Sequence, residues 1–458
     1  MIFSSIPFLI FLPILLGLVW LARTELQRRV LIFVASLVFY GWWDWRFCFF
    51  LVAASTIDYR LALEIQAAPT RAQKKKWLAL SVCSNLGILA IFKYAGWLVR
   101  SVNALTGADL PVPHLPLPLG ISFFTFQAMS YTIDVYREQF NPTKRWFDFS
   151  FSMSFFPHLI SGPIVRASHF MPQLAAEHPL RSDQLLDGLQ LFAKGFLKKT
   201  LLADQLAVCA DAIFVDPSFY SSGACWLGVA AYTLQIYYDF SGYTDMAIGL
   251  ARMFGFQFPQ NFDHPYLSTD LAEFWRRWHI SLSSWLRDYL YISLGGNRRG
   301  AARTYVNLMI TMLLGGLWHG ANWTFVVWGA LHGVGLAAHR LWSKLLPAPG
   351  PIRRALGLPA TLLFVMIGWV FFRAPTFAIA GTVLRKLAFV DTIGATWPYV
   401  QAIVVITAAI GAHAWVASGR KLGFDLRRPV FVALLIFALA LALLYNPAVH
   451  SPFIYFQF

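Results

Sequence analysis

Long apolar segments separated by short polar ones recur along the chain, and this pattern predicts a helical membrane protein. A membrane crossing needs roughly 20 predominantly apolar residues. Because lipid offers no hydrogen-bond partner to an open backbone, such segments cross as helices. We therefore expect an all-α, polytopic integral membrane protein with roughly ten or more transmembrane helices and additional interfacial helices. The apolar runs lie at residues 5–22, 30–43, 47–63, 77–99, 119–135, 149–165, 185–215, 224–255, 304–339, 356–373, 397–418 and 429–447.

Polar interruptions modify this pattern in three places. The run at 185–215 contains three lysines and the run at 224–255 contains two aspartates, so parts of each are expected in the interface or in a broken helix. Gly242 is the expected break point in the second run. The proline-rich segment 111–120 cannot form a continuous helix. With no internal repeat and no long linker, residues 1–458 are predicted to form a single domain.

Composition excludes a soluble fold. Apolar residues make up 58% of the chain and charged residues 13%, which is more hydrophobic surface than a soluble protein of this length buries. The net charge of +15 does not indicate nucleic-acid binding, because the cations form small clusters between apolar runs, as in the cytoplasmic loops of membrane proteins. The clusters are Arg23 with Arg28 and Arg29, Arg71 with Lys74, Lys75 and Lys76, Lys198 with Lys199, Arg298 with Arg299 and Arg303, Arg353 with Arg354, and Arg427 with Arg428.

The start of the chain is interpreted as a retained first span. It has neither the basic region nor the small-residue cleavage site of a signal peptide. The N-terminus is then expected outside and the first cationic cluster in the cytoplasm. The four cysteines lack CxxC spacing, so neither a disulfide framework nor a zinc site is expected; they are Cys48, Cys83, Cys209 and Cys225.

The polar segment from Ser268 predicts one amphipathic helix at the cytoplasmic interface. Asp270 can cap its start with Glu273 three residues on, and Gly295 ends it. At about 100° per residue the helix has an aromatic face and a charged face. His279 lies on the apolar face, either as a functional residue or as a packed histidine whose ring is satisfied. The apolar face is formed by Trp275, Trp278, His279, Leu282, Trp285, Leu286 and Tyr289, and the polar face by Glu273, Arg276, Arg277, Ser284, Arg287 and Asp288.

His319 lies in the uncharged run 304–339, which is long enough for about two crossings with a bend near Gly320. A rise of ~1.5 Å per residue from Arg303 places His319 roughly 24 Å deep. An ionisable residue at such depth marks a functional site by default, although an interhelical hydrogen bond is the alternative. Asn322 adds a donor and an acceptor nearby. The small residues around the bend, which allow close approach by a backbone or a ligand, are Gly315, Gly316, Gly320 and Ala321.

Other polar residues are weaker candidates. Asp239 and Asp245, with Tyr243 between them, must be protonated, paired or hydrogen-bonded in their apolar setting. They could orient a catalytic histidine, bind a cation or join helices through a polar network, and their spacing does not support a metal site. Three further histidines are His332, a rival for the role of His319, His339, expected in the interface, and His413, expected in the core.

Four motifs resemble the membrane-bound O-acyltransferase family, and within it the bacterial branch that is similar to alginate O-acetyltransferases. They are QIYYDFSGYTDMAIG at 235–249, QNFDHPYLSTDLAEFWRRWHISLSSWLRDYLYISLGGNR at 260–298, LLGGLWHGANWTFVVWGALHG at 313–333 and FPHLISGPIVR at 156–166. With FYGWWDW at 39–45, the resemblance extends over most of the chain.

The resemblance implies a helical fold around a central tunnel, with the active-site histidine at His319 and a second important histidine at His279. Substrate-binding residues are then expected at Trp278, Asp239, Tyr243, Asp245 and Asn322. It implies acetyl-CoA or another cytosolic acyl thioester as donor, without a bound cofactor or metal. The expected partners are the bilayer of the bacterial inner membrane, an extracytoplasmic acetyltransferase and polysaccharide synthesis proteins.

Three functions stay open at this point. The first is O-acetylation of an extracytoplasmic polysaccharide such as alginate or cellulose, and the second is acyl transfer to peptidoglycan or teichoic acid. In both, neutral His319 would act as general base on an acceptor hydroxyl, or would itself be acylated. The third is a proton-coupled transporter whose buried His and Asp residues relay protons, although such a protein does not need the interfacial segment.

Overall fold

The structure is a computed structural model that describes residues 1–176, 180–345, 350–396, 400–419 and 427–444. Over these residues the secondary structure is helical, apart from one isolated bridge between Tyr220 and Ala395. The helices are α1 Ile6–Leu21, α2 Glu25–Gly41, α3 Arg46–Ala67, α4 Arg71–Leu89, α5 Ala95–Thr106, α6 Ile121–Tyr136, α7 Trp146–Ser154, α8 Phe156–Leu159, α9 Ala167–Ala175, α10 Ser182–Leu197, α11 Asp204–Val215, α12 Ser222–Met253, α13 Leu271–Arg277, α14 Ile280–Trp285, α15 Ala301–His319, α16 Trp323–Leu345, α17 Pro351–Arg373, α18 Phe377–Leu387, α19 Val400–Ala417 and α20 Pro429–Leu444.

The chain divides into two compact units, whose boundaries fall within α10, within α12 and between Pro259 and Gln260. Unit 1 comprises Met1–Phe192 and Met246–Pro259, and unit 2 comprises Ala193–Asp245 and Gln260–Phe458. Every residue that the sequence marks as a candidate site residue lies in unit 2. The prediction of one domain over 1–458 stays a prediction.

Two helical segments among the described residues are long and apolar enough to cross a membrane. They are Arg71–Thr106, which joins α4 to α5 through a π-helical turn, and Ala355–Arg373 in α17. The apolar helices Ile6–Leu21, Ala402–Ala417 and Pro429–Ala438 are shorter. The all-helical class is therefore confirmed, while the number of ten or more crossings stays a prediction.

Helix α12 is continuous, so the expected break at Gly242 is wrong. In unit 2 the missing side chain of Gly242 serves close packing instead, because an added methyl group would lie 2.7 Å from the carbonyl oxygen of Gly195. A π-helical turn at Lys198–Ala203 follows that contact. It turns the lysines of this segment towards α12, which brings the charges of both segments together.

The segment from Ser268 is two short helices, so the single amphipathic helix is also wrong. Asp270 caps α13 as expected, its Oδ1 accepting a hydrogen bond from the Glu273 amide at 2.7 Å. The helix then stops at Arg277, and His279 has a left-handed backbone with φ of 44° before α14 begins. The cause is tertiary, because the amide of Ile280 donates to the carbonyl of Asn261 at 2.9 Å instead of continuing the helix.

Helices α15 and α16 form the bend that the sequence predicts, with α15 ending at His319 and α16 beginning at Trp323. The two helices pack closely through glycine. A methyl group on Gly316 would overlap the Phe325 carbonyl oxygen, and one on Gly329 would overlap the Met312 carbonyl oxygen. This backbone contact holds the end of α15, and with it His319.

Gly316→Ala is expected to lower the free energy of unfolding by about 1–3 kcal/mol, because the new methyl group forces α15 and α16 apart. Thermal unfolding of the purified protein in detergent measures this. Gly381→Ala in α18 is the control, since its added methyl group meets nothing within 4 Å and alanine is the better helix former. Equal unfolding temperatures for the two variants would contradict the packing role of Gly316.

Candidate functional site

His279 is held at the start of α14 by Asn261. Its side chain is fully buried, and its Nδ1 lies 3.2 Å from Asn261 Oδ1. The same oxygen accepts hydrogen bonds from the Ser281 amide at 3.1 Å and the Ser281 hydroxyl at 2.9 Å. A backbone amide can only donate, so this Asn261 atom is the carbonyl oxygen and His279 Nδ1 carries a proton. The Nε2 atom of a neutral His279 is then the acceptor.

Burial lowers the pKa of His279 to about 3, because the charged imidazolium would lose its hydration. The residue lies between α13 and α14, outside the long apolar helices. Its ring is therefore neutral at physiological pH, as a proton acceptor must be. The ring of Phe240 covers one side with its centroid 4.7 Å away.

His319 ends α15 inside an aromatic enclosure. The side chain is 4% exposed. Its ring centroid lies 5.0 Å from that of Trp318, 5.1 Å from that of Phe372 and 5.2 Å from that of Trp328. These apolar walls exclude bulk water and lower the local dielectric, which strengthens any polar interaction made by the imidazole.

The two histidines lie next to each other, with ring centroids 6.5 Å apart. This overturns the expectation that His279 stays near the cytoplasmic face while His319 lies deep. A single surface helix from Ser268 would keep the two residues apart. Its break at His279 instead turns this residue into the core of unit 2, towards the end of α15.

Trp278, expected to bind substrate, packs in the protein core. Its ring stacks on Phe274 at 5.6 Å and contacts Trp369 at 5.0 Å and Phe262 at 5.1 Å. Its backbone amide donates to the Phe274 carbonyl at 2.8 Å, which closes α13. Trp278, the residue before His279, is therefore held in the core by these contacts. Its direct binding of substrate stays a prediction.

Asp239 and Asp245 form ion pairs with the lysines that precede α11. Lys199 lies 2.9 Å from Asp239 and 2.8 Å from Asp204, and Lys198 lies 2.8 Å from Asp245. These contacts support the alternative of a polar network that joins helices. Tyr243 is buried on the same helix. Substrate binding by the three α12 residues stays a prediction.

Asn322 caps α16. Its Oδ1 accepts a hydrogen bond from the Thr324 amide at 3.1 Å, and its Nδ2 donates to the Pro375 carbonyl at 3.0 Å. Both polar groups thus hold the turn after His319 in place. A direct contact of Asn322 with substrate stays a prediction.

The other candidate histidines occupy different positions. His332 is buried, and its Nδ1 accepts a hydrogen bond from Trp275 Nε1 at 3.3 Å. The ring of Trp328 contacts His332 at 4.9 Å and His319 at 5.2 Å. His339 lies 3.6 Å from Asp270, and His413 Nδ1 lies 2.8 Å from the Ala409 carbonyl. The ring of His279 therefore contacts His319 directly, whereas Trp328 contacts both His319 and His332.

Two residues that hold the site together were not singled out from the sequence. Asn261 lies in a quoted motif, but its polar side chain follows no periodicity that indicates burial. The sequence pattern predicts an interfacial position for Lys199, whereas its side chain is only 6% exposed. In the part of the chain that the structure describes, no three His, Cys, Asp or Glu residues lie close enough to hold a metal ion.

A buried pair of imidazoles in an apolar enclosure can accept and donate protons during attack by a hydroxyl group. Comparison with known proteins gives this geometry a context. A profile described as MBOAT, membrane-bound O-acyltransferase family, matches residues 147–377. That range contains both histidines and Asn261.

Three curated relatives illustrate the similarity. The chain is 48% identical to a probable alginate O-acetylase AlgI of Azotobacter vinelandii, over 83% of this chain and 76% of that protein. It is 46% identical to the probable alginate O-acetylase AlgI of Pseudomonas aeruginosa, over 83% and 73%. It is 37% identical to the peptidoglycan O-acetyltransferase of Helicobacter pylori, over 80% and 75%.

Lys199→Met is expected to destabilise the protein by about 3–5 kcal/mol, because it leaves Asp204 and Asp239 as buried carboxylates without their shared cation. Thermal unfolding in detergent measures the loss. Asp183→Asn is the control, because Asp183 pairs with Arg181 at the exposed surface and such pairs contribute little. A Lys199→Met protein that unfolds at the wild-type temperature would show that the buried cluster is not a source of stability.

Proposed function

The chain belongs to the membrane-bound O-acyltransferase family, and from this premise we propose that it moves an acetyl group from a cytosolic thioester towards the O-acetylation of an extracytoplasmic polysaccharide such as alginate. Family membership makes the chain a membrane protein and an O-acyltransferase. The higher identity to the alginate O-acetylases than to the peptidoglycan enzyme supports a polysaccharide as acceptor. The donor is acetyl-CoA or another acyl thioester.

The observation that carries the proposal is the contact between His279 and His319, buried together at 6.5 Å between ring centroids. An alcohol is a poor nucleophile at neutral pH, so transfer of an acyl group to it needs a base close to the hydroxyl group. Both rings lie where bulk water is excluded.

His319 acts as general base in the proposed step. Its neutral imidazole takes the proton of the acceptor hydroxyl while the hydroxyl oxygen attacks the thioester carbonyl carbon. The carbon–sulfur bond then breaks, the ester forms, and the imidazolium returns its proton to the departing thiolate. In the alternative, His319 itself attacks the thioester and forms a transient acyl-imidazole before the hydroxyl oxygen takes the acyl group. This path uses the same geometry and differs in the order in which the bonds form.

His279 supports this step from the neighbouring position. Asn261 accepts its Nδ1 proton, so Nε2 is the nitrogen that carries the lone pair, on a ring in contact with His319. A proton acceptor there can orient the His319 ring or share the transferred proton. In this proposal His279 is a positioning residue, and Asn261 acts through it.

The bacterial relatives support a location in the inner membrane with several crossings. An extracytoplasmic acetyltransferase would complete the transfer to the polymer, together with polysaccharide synthesis proteins. Peptidoglycan is the second candidate acceptor, favoured by the 37% identity to the Helicobacter pylori enzyme. Assays with alginate and with peptidoglycan as the acetylated product distinguish the two.

His319→Ala is expected to reduce acetyl transfer by at least about 100-fold, the scale of a lost general base. Labelled acetyl groups transferred from acetyl-CoA by membranes with matched amounts of protein measure the effect. His114→Ala is the control, because His114 is exposed in the proline-rich segment. Transfer at the wild-type rate by the His319→Ala protein would overturn the assignment.

Asn261→Ala is expected to reduce acetyl transfer about 10–100-fold, because His279 loses the acceptor that sets its tautomer and orientation. Asn261→Asp keeps an acceptor at Oδ1 and should retain more activity than Asn261→Ala. Initial rates at matched protein amount measure both variants, with Asn141→Ala at an exposed asparagine as control. If the Ala and Asp variants lose activity equally, the orientation of His279 does not depend on this oxygen.

A further inference from the structure

A cavity of about 260 Å³ lies in unit 1, between the loop that joins α6 to α7, the first turn of α7, and α9. It is smaller than the roughly 300–1,000 Å³ of sites for drug-sized molecules, so it suits a compact polar group with a short apolar neighbour. Among the described residues that line it, Asp148 is the acidic one. The apolar walls are formed by Phe140, Met171, Pro172, Leu174 and Ala175. The candidate catalytic residues all belong to unit 2, so none of their roles uses this cavity.

The carboxylate of Asp148 has few partners for a side chain that is largely buried. None of the described residues donates a hydrogen bond to it, and its ionic contact with Arg29 is long, at 3.7 Å between Oδ1 and Nη1. A carboxylate offers about four lone-pair sites to donors, and leaving them empty away from water costs free energy. The cavity therefore presents an acceptor that suits a ligand with several N–H donors.

Arg29 lies beside this carboxylate and is held only on one side. Its Nε donates to Glu25 of the same helix at 3.1 Å. Its Nη2 reaches the carbonyl of Ala176, next to the end of α9, at 3.4 Å, which is long for a hydrogen bond. A guanidinium carries five N–H donors in a rigid fork that matches a phosphate. Arg29 therefore keeps donors for an anionic group beside the acceptor of Asp148.

The surroundings of the cavity belong to the cytoplasmic rim of the membrane. The loop that lines it carries Glu138, which pairs with Lys74 at 2.7 Å, and Arg29 belongs to another cationic cluster of unit 1. Clusters of this kind face the cytoplasm in membrane proteins, and family membership makes the chain a membrane protein. Pro172 and Ala175 are exposed on α9. By this pattern the cavity opens among the headgroups of the cytoplasmic leaflet.

The two charges discriminate between lipid headgroups. A primary ammonium donates up to three hydrogen bonds and suits Asp148, while a phosphate accepts from Arg29. A choline headgroup has no N–H donor for the carboxylate. An anionic glycerol headgroup brings its negative charge against Asp148, and such a juxtaposition is unfavourable. Of the three, a headgroup with both a primary ammonium and a phosphate fits the pair.

We propose that this cavity binds the phosphoethanolamine headgroup of a membrane phospholipid, with its ammonium on Asp148 and its phosphate on Arg29. The headgroup replaces the 3.7 Å contact between these residues with two charge-assisted hydrogen bonds. The apolar walls contact the carbons of the headgroup and the start of the acyl chains. A lipid held in this way joins α2 to α7 and α9, and it stabilises the folded protein because it binds only that state.

The test compares three phospholipids with identical acyl chains. The full-length protein, freed of lipid in detergent, is titrated with phosphatidylethanolamine, phosphatidylcholine and phosphatidylglycerol, and native mass spectrometry measures each affinity. Phosphatidylethanolamine should bind about tenfold or more tightly than the other two, the scale of a charge-assisted hydrogen bond. Asp148→Asn should abolish this preference. Arg29→Gln should weaken the binding of all three lipids, because each carries a phosphate.

Two further variants separate binding from folding. Ala175→Phe fills the cavity without changing a charge and should also weaken the binding of phosphatidylethanolamine, so the test survives if Asp148→Asn does not fold. Asp183→Asn is the matched control, because it makes the same chemical change in an exposed pair with Arg181. It should leave all three affinities at the wild-type values. The unfolding temperature of each variant without lipid shows whether it is folded.

Equal affinities of the wild-type protein for the three lipids would refute the headgroup assignment. A preference for phosphatidylethanolamine that persists in both Asp148→Asn and Ala175→Phe would place the lipid elsewhere and refute it too. Free phosphoethanolamine distinguishes the source of the headgroup: weak displacement of bound lipid supports a membrane lipid, whereas binding as tight as that of the lipid would assign the cavity to a water-soluble ligand. These measurements do not depend on acetyl transfer.

Discussion

The arrangement of the site depends on the interruption of the helix at His279. A left-handed backbone at a non-glycine residue costs roughly 1 kcal/mol or more, so it persists only where surrounding contacts impose it. Here Asn261 imposes it, because its backbone carbonyl accepts from Ile280 and its side-chain oxygen accepts from Ser281 and faces His279. Without this interruption the imidazole would remain on the face of a continuous helix and would not meet His319.

The position of His319, the second histidine of the pair, depends on backbone packing between α15 and α16. Glycine at 316 and 329 lets each helix press against a carbonyl group of the other, and Asn322 caps the helix that follows. His319 is therefore presented from the end of a helix whose position is set by rigid neighbours. Catalytic groups need such support, because a displacement of about 1 Å can cost a large part of the rate.

Buried polar groups in this chain fall into two kinds. The carboxylates of α12 are neutralised by lysines on the preceding segment, and this network joins helices. The imidazoles of His279 and His319 are enclosed by aromatic rings, and an amide oxygen of Asn261 faces His279, whose burial keeps it neutral. Neutral bases suit proton transfer, whereas paired charges suit structure.

Local sequence pattern determined the helical class, the cap at Asp270 and the bend after His319, while the resemblance to the family is what singled out the two histidines. These features follow from residue types within a few turns of chain, which periodicity and capping rules describe. The break at His279, the continuity of α12 at Gly242 and the 6.5 Å contact between the imidazoles came only from the tertiary structure. Each of them depends on contacts between residues distant in sequence, such as Asn261 with Ser281 or Gly195 with Gly242. The periodicity of apolar residues carries no information about such contacts. It indicates which face of a helix is apolar, but not which distant residue interrupts the helix or keeps it continuous.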